Sequence, residues 1–397
     1  MKRRLLILTE IIAPYRIPVF NALARHPEID LCVVFLAETN PATRQWLIYT
    51  NEIRFAYNVL PSWRTHFRDH TILLNQNVSA ALREVSPDVI LCGGYNYLAS
   101  WQAQRWAQEN NVPFLLWCES TGADRRAEYP LVESLKRRFF SKCDGFVVPG
   151  TASCAYVSRM AGAGQQVFVA PNAVDNDLFA QGAALAGNNG ARVRAKLGLP
   201  TRYFLYVGRL VRSKGVLDLM DAYASLSERL RSDVGLVIAG DGPLRAELES
   251  RGRLISPGAV HLRGFVHRDE LASYYALADC LVFPTHSDPW GLVVNEAMAC
   301  GLPIICSEVA GCAADLIAHG RTVAPKNVQQ LMRAMRDLAE DSDLRQQMSA
   351  HNREVIARYS PAACAEGIAR AASSVDCLKK IRIVSEGPRH INRAEVQ

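Results

Sequence analysis

Asp288 and Glu296 stand eight positions apart in the run His286-Ser287-Asp288-Pro289-Trp290-Gly291-Leu292-Val293-Val294-Asn295-Glu296. An apolar, strand-like segment precedes this run and a helical pattern follows Gly291. Glycine permits a close backbone approach, and the amides of Leu292 and Val293 fall at a helix start, where N–H groups and the dipole attract an anion. The two carboxylates can then accept hydrogen bonds from different hydroxyls of one ligand with a diphosphate between them. Two other readings fit the residues. Asp288 can cap the helix while Glu296 sits on a solvated face, or the pair can be the acid and base of a glycosidase flanking one bond. The phosphate-ready helix start between the two acids favours a nucleotide sugar. A basic segment, Gly208-Arg209-Leu210-Val211-Arg212-Ser213-Lys214-Gly215, adds a guanidinium fork and a point charge for two diphosphate oxygens. On its own it reads equally as a basic surface loop.

Elements that would position these groups repeat along the chain as short apolar runs separated by helical stretches. In the first half the runs are 5–9, 31–36, 89–92, 114–118, 146–148 and 167–170; in the second, 203–207, 235–239, 260–262, 280–283, 303–306 and a weaker 321–323. Continuous apolar strands alternating with helices predict parallel sheets covered on both faces, hence an α/β chain of two doubly wound domains. The expected division is 1–170, 171–360, and a helix with a basic tail over 361–397 that packs back toward the first domain. Residues 181–191, rich in Gly, Ala and Asn, read as an inter-domain connection or exposed loop. In such folds the loops at the carboxyl ends of the strands face the ligand crevice, and both chemical segments follow a strand. Gly240-Asp241-Gly242-Pro243 also follows a strand, but the third glycine of a dinucleotide fingerprint is missing, so it reads as a turn and helix start.

The chain has 397 residues, 49 % hydrophobic and 21 % charged, enough apolar material for two cores. Its 45 Lys and Arg against 39 Asp and Glu leave a net charge of +6, too mild for a dedicated nucleic-acid binder and suited to anionic ligands or an anionic membrane. The 11 cysteines form no C-x-x-C pair, and their odd number suits a reducing cytosol. Glu10 and Pro14 interrupt the apolar N-terminus, which reads as a first strand rather than a signal peptide.

These segments resemble the retaining glycosyltransferases of family 4, the glycosyl transferases group 1 type. The family has an acidic residue, Pro-Phe-Gly and a second Glu eight positions on; here these are Asp288-Pro289-Trp290-Gly291 and Glu296, with Asp for Glu and Trp for Phe. Gly208-Arg209-Leu210 with Lys214-Gly215, Gly240-Asp241-Gly242-Pro243, Pro171-Asn172-Ala173-Val174-Asp175 and Gly264-Phe265-Val266 match further family segments. The resemblance implies the GT-B fold, two Rossmann-like domains facing across a cleft, and transfer of a sugar from a nucleoside diphosphate sugar with retention. It assigns Arg209 and Lys214 to the leaving diphosphate, Asp288 to the donor sugar and Glu296 to the ribose. Phe265 and Val266 fall to the base, and Gly208, Gly291, Leu292 and Val293 to donor binding. A non-catalytic nucleotide-sugar binder and a GT-B sugar epimerase are the alternatives.

The first half departs from the family. The usual Gly-Gly after the first strand is replaced by Glu10-Ile11-Ile12-Ala13-Pro14-Tyr15-Arg16, and no His follows the fourth strand, where Glu119 stands. Glu119, Tyr15 and Arg16 are therefore candidate contacts to the acceptor or sugar; Glu119 reads equally as a buried or capping residue. Asp175-Asn176-Asp177 has the D-x-D form that holds a metal under a diphosphate in other transferases, yet its place before Leu178-Phe179 favours a turn or cap, so no metal and no other cofactor is expected. The expected partners are the donor and a glycan or lipid-linked acceptor. The expected location is the cytoplasm, with peripheral contact at the inner membrane face. In 135–142 two readings stand: Phe139 or Phe140 enters the headgroup boundary while Lys136, Arg137, Arg138 and Lys142 meet anionic lipid, or the phenylalanines are core and the cations suit the end of a helix dipole.

Overall fold

Val89-Ile90-Leu91-Cys92 and Tyr203-Phe204-Leu205-Tyr206-Val207 have no polar face, and each is buried along its whole length. Such strands need cover on both sides, which a parallel sheet between helices supplies. The computed structural model describes residues 2–40, 46–67, 70–123, 130–162, 164–255, 258–317 and 320–385. The first half provides β1 (Arg3–Thr9), β2 (Ile29–Phe35), β3 (Ala56–Val59), β4 (Ser62–Phe67), β5 (His70–Asn75), β6 (Val89–Cys92), β7 (Phe114–Trp117), β8 (Gly145–Val148) and β9 (Val167–Val169). The second provides β10 (Tyr203–Val207), β11 (Gly235–Ala239), β12 (Val260–Gly264), β13 (Cys280–Phe283), β14 (Ile304–Ser307) and β15 (Arg321–Val323).

The strands order as β3-β2-β1-β6-β7-β8-β9 in one sheet and β12-β11-β10-β13-β14-β15 in the other, with β4 and β5 forming a separate antiparallel hairpin. Every pairing within the two large sheets is parallel. Chain order reverses at β1/β6 in the first sheet and at β10/β13 in the second. A crevice opens at such a switch point, outside the carboxyl ends of the strands. The loops after β1, β6, β10 and β13 therefore build the site.

Residues 181–191 are not a loop: they lie in two consecutive helices, Asn176–Asn188 and Gly190–Leu197. The Asp175 carboxylate caps the first by accepting from the Leu178 amide at 3.0 Å. The segment runs between the last strand of the first sheet and the first of the second, but as helices whose small residues serve close packing. A Cβ at Gly182 would lie 2.7 Å from that of Ala272 on the helix Arg268–Leu277, and Ala186 is buried. The last helix, Pro361–Ser385, shares a core with the first domain, where Cys364, Ala365, Ile368, Ala369 and Ala372 are buried with Ile17, Phe20 and Leu23. It continues well past residue 375, where the Ala-rich pattern ends, because Leu378, Lys379 and Lys380 are also good helix formers. The expected basic tail over 386–397 lies outside the described residues.

Phe139 and Phe140, expected at a headgroup boundary, are fully buried in the first-domain core. Phe139 packs edge-on to Trp101 and Phe114, and Phe140 stacks on Phe146. The apolar residues that the helix Pro130–Phe140 does expose are Leu131, Val132 and Leu135.

Candidate functional site

Gly291, at φ 99°, ends the loop after β13 and begins the helix Leu292–Ala299. A Cβ there would stand 2.6 Å from the Phe283 ring, so the helix start is pressed against its own strand. Gly215 does the same for the loop after β10: at φ 68°, its Cβ would fall 1.9 Å from the Pro284 carbonyl oxygen. The two loops are also tied by hydrogen bonds from His286 N and Thr285 Oγ1 to the Ser213 carbonyl, at 2.9 and 3.2 Å. Only residues without side chains allow the basic segment and the acidic run to meet this closely.

A cavity of about 500 Å³ lies between the two domains, within the range of small-molecule sites. Gly208, Arg209, Phe265, Val266, Leu292, Val293 and Glu296 line it from the second domain, and Tyr15, Trp46 and Tyr49 from the first. Asp241, Gly242 and Pro243 line it too, so the Gly-Asp-Gly-Pro segment is part of the wall; the helix that follows starts only at Arg245. The cavity thus combines a helix N-terminus, an arginine and a half-buried carboxylate with largely apolar walls.

Glu296 accepts a hydrogen bond from the Tyr275 hydroxyl at 2.7 Å. Burial pushes its carboxyl up to about 7, against the opposing effects of that hydrogen bond and of Arg268. Tyr275 is itself fully buried and edge-on to Phe179, and its phenol is raised well above its ordinary value, first by burial and then by Glu296. This tyrosine, on the neighbouring helix, fixes where the carboxylate points. No spacing in the sequence marks it.

Lys214 and Asp288 do not line the cavity. They form an ion pair beside it, with side-chain exposures of 22 % and 17 %. Charges withdrawn this far from water are costly unless paired, which accounts for the contact. Asp288 also accepts from the Trp290 amide at 3.1 Å. His286 is held alongside by Asp218 at 2.6 Å.

Arg16 and Glu119 also lie off the large cavity. They pair with each other and line a smaller pocket at the first sheet's switch point, while Tyr15 lines both. The Arg16 guanidinium lies 4.0 Å over the Trp117 ring, and Glu119 keeps it charged against the effect of burial. Arg16 Nη1 donates to Asn172 Oδ1 at 3.2 Å, Asn295 Nδ2 to the Asn172 carbonyl at 2.9 Å, and Trp290 Nε1 to Asn295 Oδ1 at 2.8 Å. The smaller pocket is thereby linked through the polypeptide between the sheets to the helix carrying Glu296.

Two further contacts bridge the domains. Arg268 pairs with Glu52 through both terminal nitrogens and stacks 3.8 Å over Tyr49. Asp315 accepts from Thr151 N and Thr151 Oγ1, the latter at 2.8 Å. Asp175-Asn176-Asp177 is a helix start: Asp175 caps, and Asn176 donates to the Ile356 and Tyr359 carbonyls. Among the described residues, no group of three or more His, Cys, Asp or Glu is placed to hold a metal ion.

Residues 191–355 match the model of the family described as glycosyl transferases group 1. Alpha-D-kanosaminyltransferase of Streptomyces kanamyceticus is 33 % identical over 185 residues, 45 % of this chain and 47 % of that protein. D-rhamnosyltransferase WbpZ of Pseudomonas aeruginosa is 33 % identical over 171 residues, 42 % of each chain. The matches thus span about half the length of these curated relatives or less. The crystal structure of Anabaena HepE in complex with UDP superposes with a TM-score of 0.74 at 18 % identity, covering 94 % of this chain and 100 % of that one. The sucrose-phosphate synthase structure from Thermosynechococcus elongatus gives 0.72 at 21 % identity, covering 95 % and 100 %. The chain as a whole has the GT-B fold, and residues 191–355 within it are similar to the glycosyl transferases group 1.

Proposed function

We propose that this chain is a retaining glycosyltransferase that moves a hexose from a nucleoside diphosphate sugar to a glycan or lipid-linked acceptor in cell-surface polysaccharide assembly. The observation that carries this reading is the inter-domain cavity, in which Arg209, the Leu292 and Val293 amides and the half-buried Glu296 converge. Anionic phosphates suit the helix start and the arginine, and a carboxylate is an acceptor for ribose hydroxyls. Phe265 and Val266 border the base, with Phe265 edge-on to His267 at 5.0 Å. The relatives named for kanosaminyl and rhamnosyl transfer support transfer chemistry, and the UDP complex of HepE makes UDP the first base to test.

In transfer, charge builds on the departing diphosphate, and preorganised cations stabilise it most in the transition state. Arg209 faces that position directly. Lys214 reaches it by exchanging Asp288 for a phosphate oxygen, which frees Asp288 to accept a hydroxyl of the donor sugar. These cations and the helix start supply the positive potential that a metal provides elsewhere. Activity is expected to survive EDTA nearly intact; complete loss restored by Mg²⁺ or Mn²⁺ would refute the metal-free reading.

A thermal-shift screen over UDP-, GDP- and ADP-sugars, followed by product analysis with an acceptor panel, tests the proposal. A donor-specific shift and a glycoside product of unchanged anomeric configuration are expected. Binding without transfer would instead mark a nucleotide-sugar-binding partner. The same reading places the enzyme at the cytoplasmic face of a membrane, touching it peripherally. Among the described residues no helix is long and apolar enough to cross one.

A further inference from the structure

Trp290 stands where the related motif has Phe, and the larger ring reaches both domains. A Cβ on Gly150, just before the helix Thr151–Ala161 of the first domain, would lie 2.9 Å from Trp290 Cζ3. Tyr359 packs against the same ring at 6.3 Å. Unlike a phenyl ring, an indole brings an N–H that needs a partner once buried. Asn295 supplies it: Trp290 Nε1 donates to Asn295 Oδ1 at 2.8 Å. Through Nδ2 the same amide donates to the Asn172 carbonyl at 2.9 Å, in the segment between β9 and the helix Asn176–Asn188 that joins the domains. An indole N–H only donates and a carbonyl only accepts, so one orientation of the amide serves both partners. Asn172 in turn accepts from Arg16 through its own side chain at 3.2 Å.

Asn172 and Asn295 are both buried, Asn295 completely. An apolar residue would make fewer demands at this helical position, because an amide taken out of water must keep its hydrogen bonds. What those bonds hold follows from the place of Asn295 in the chain. It immediately precedes Glu296, in the helix Leu292–Ala299 whose first residues line the cavity. Trp290 follows Asp288 by two positions and precedes Gly291. We propose that Asn295 is a positioning residue for the donor: gripping the Trp290 indole with one end of its amide and the Asn172 carbonyl with the other, it locks the loop bearing Asp288 and the helix bearing Glu296 onto the segment that joins the domains. The proposal deepens the donor-site reading above and rests on it for what the helix start binds. The Trp290–Asn295 bond closes over the Leu292 and Val293 amides, so one side chain sets their spacing from both carboxylates. A shift of about 1 Å in such a constellation can cost about a hundredfold in rate. Because the second bond crosses to the joining segment, that spacing is tied through Asn172 and Arg16 to the seat of the first domain.

The experiment uses the full chain as Asn295→Leu, as Trp290→Phe and as the two together, in two arms. The first follows hydrogen exchange without nucleotide in the segments 170–175 and 288–292. Asn295→Leu should speed exchange about tenfold in both, and Trp290→Phe in 288–292 alone. The second titrates UDP, GDP, ADP and their glucose conjugates calorimetrically at a temperature where every variant is folded. Whichever of these the parent binds, Asn295→Leu should bind about tenfold more weakly. The double variant separates positioning from mere stability. With both buried partners gone, its thermal midpoint should recover most of what each single variant loses, as removal of both ends of a buried bond allows. Exchange in 170–175 should stay fast and nucleotide affinity low. A double variant that regains affinity along with the midpoint would overturn the proposal and leave the bond as mutual satisfaction of two buried groups. So would parent-like exchange in 170–175, or parent-like affinity, in Asn295→Leu. If the parent binds no nucleotide, the donor reading fails, and the exchange arm alone decides whether Asn295 locks the two elements.

Discussion

Glu296 carries an unusual load for a carboxylate, because burial lifts it to about 7 from an ordinary 4.5. The unliganded fold therefore holds a proton that the unfolded chain releases. The stability this gives is complete below about 4.5 and is lost as pH rises through about 7. Donor binding has the opposite sign, since ribose hydroxyls need the ionised acceptor. Donor affinity should rise about tenfold between pH 6 and pH 8 and then level off. Glu296→Gln should bind more weakly and show no such slope; an unchanged slope in calorimetric titrations would remove Glu296 from the ribose. Lys214 is expected to act later in the reaction. Lys214→Ala should cost kcat roughly a hundredfold while changing donor affinity only a few-fold, because leaving-group charge peaks in the transition state. Equal losses in both would make it a uniform binding residue. Arg209 and Glu296, which line the cavity, stand out in the sequence because a basic run after a strand and an acid inside a helix start leave a linear pattern; Asp288 shares that pattern yet lies beside the cavity, paired with Lys214. Tyr275, Asn172 and Asn295 do not stand out, since each acts through a contact across the fold that no spacing encodes.

At the scale of elements, apolar runs buried on both faces announced themselves, as at β6, β10 and β13. β3 and the β4–β5 hairpin did not. Ala56-Tyr57-Asn58-Val59 sits at a sheet edge with mostly exposed side chains, and Trp63 on the hairpin is also exposed, so neither shows a continuous apolar signal. The helical state of 181–191 is hidden for a related reason. Its glycines and alanines show no helical period, yet Gly182 marks a close helix–helix approach, which depends on a partner remote in sequence. Glycines at the site follow the same logic with larger consequences. Gly215→Ala combines a left-handed φ with a Cβ 1.9 Å from the Pro284 oxygen, so the loops after β10 and β13 must separate. It should destabilise the second domain by about 1–3 kcal/mol and lower donor affinity together with it. A denaturation midpoint and affinity both equal to the parent's would mean the loops yield freely.

For the whole molecule, the two domains are joined by the Arg268 clasp on Glu52 and Tyr49, the Asp315 contact to Thr151 and the final helix returning to the first core. These contacts hold the cavity walls together, and they leave the helix Pro130–Phe140 on the outer surface of the first domain. Leu131 and Leu135, four apart, continue into Arg138 along one helical face, with Val132 beside them and Lys142 in the turn just past the helix; all five side chains are exposed. Lys136 is paired with Glu133 at 2.6 Å, which reduces its availability to lipid. An interfacial helix needs such a division, with apolar groups entering the headgroup boundary and cations meeting anionic lipid at about 1 kcal/mol each. A membrane contact through this helix would therefore use the exposed leucines and not the phenylalanines, which belong to the core. Phe139→Ser should unfold the domain rather than release it from a membrane. The informative variant is Leu131→Ser with Leu135→Ser, set beside Arg137→Ser with Arg138→Ser. In co-sedimentation with phosphatidylglycerol-rich vesicles the parent should bind at low salt and release at high salt. The arginine variant should lose the salt-sensitive part, and the leucine variant the remainder, with folding and nucleotide affinity intact in both. No binding by the parent at low salt would leave a soluble acceptor as the substrate that this surface permits.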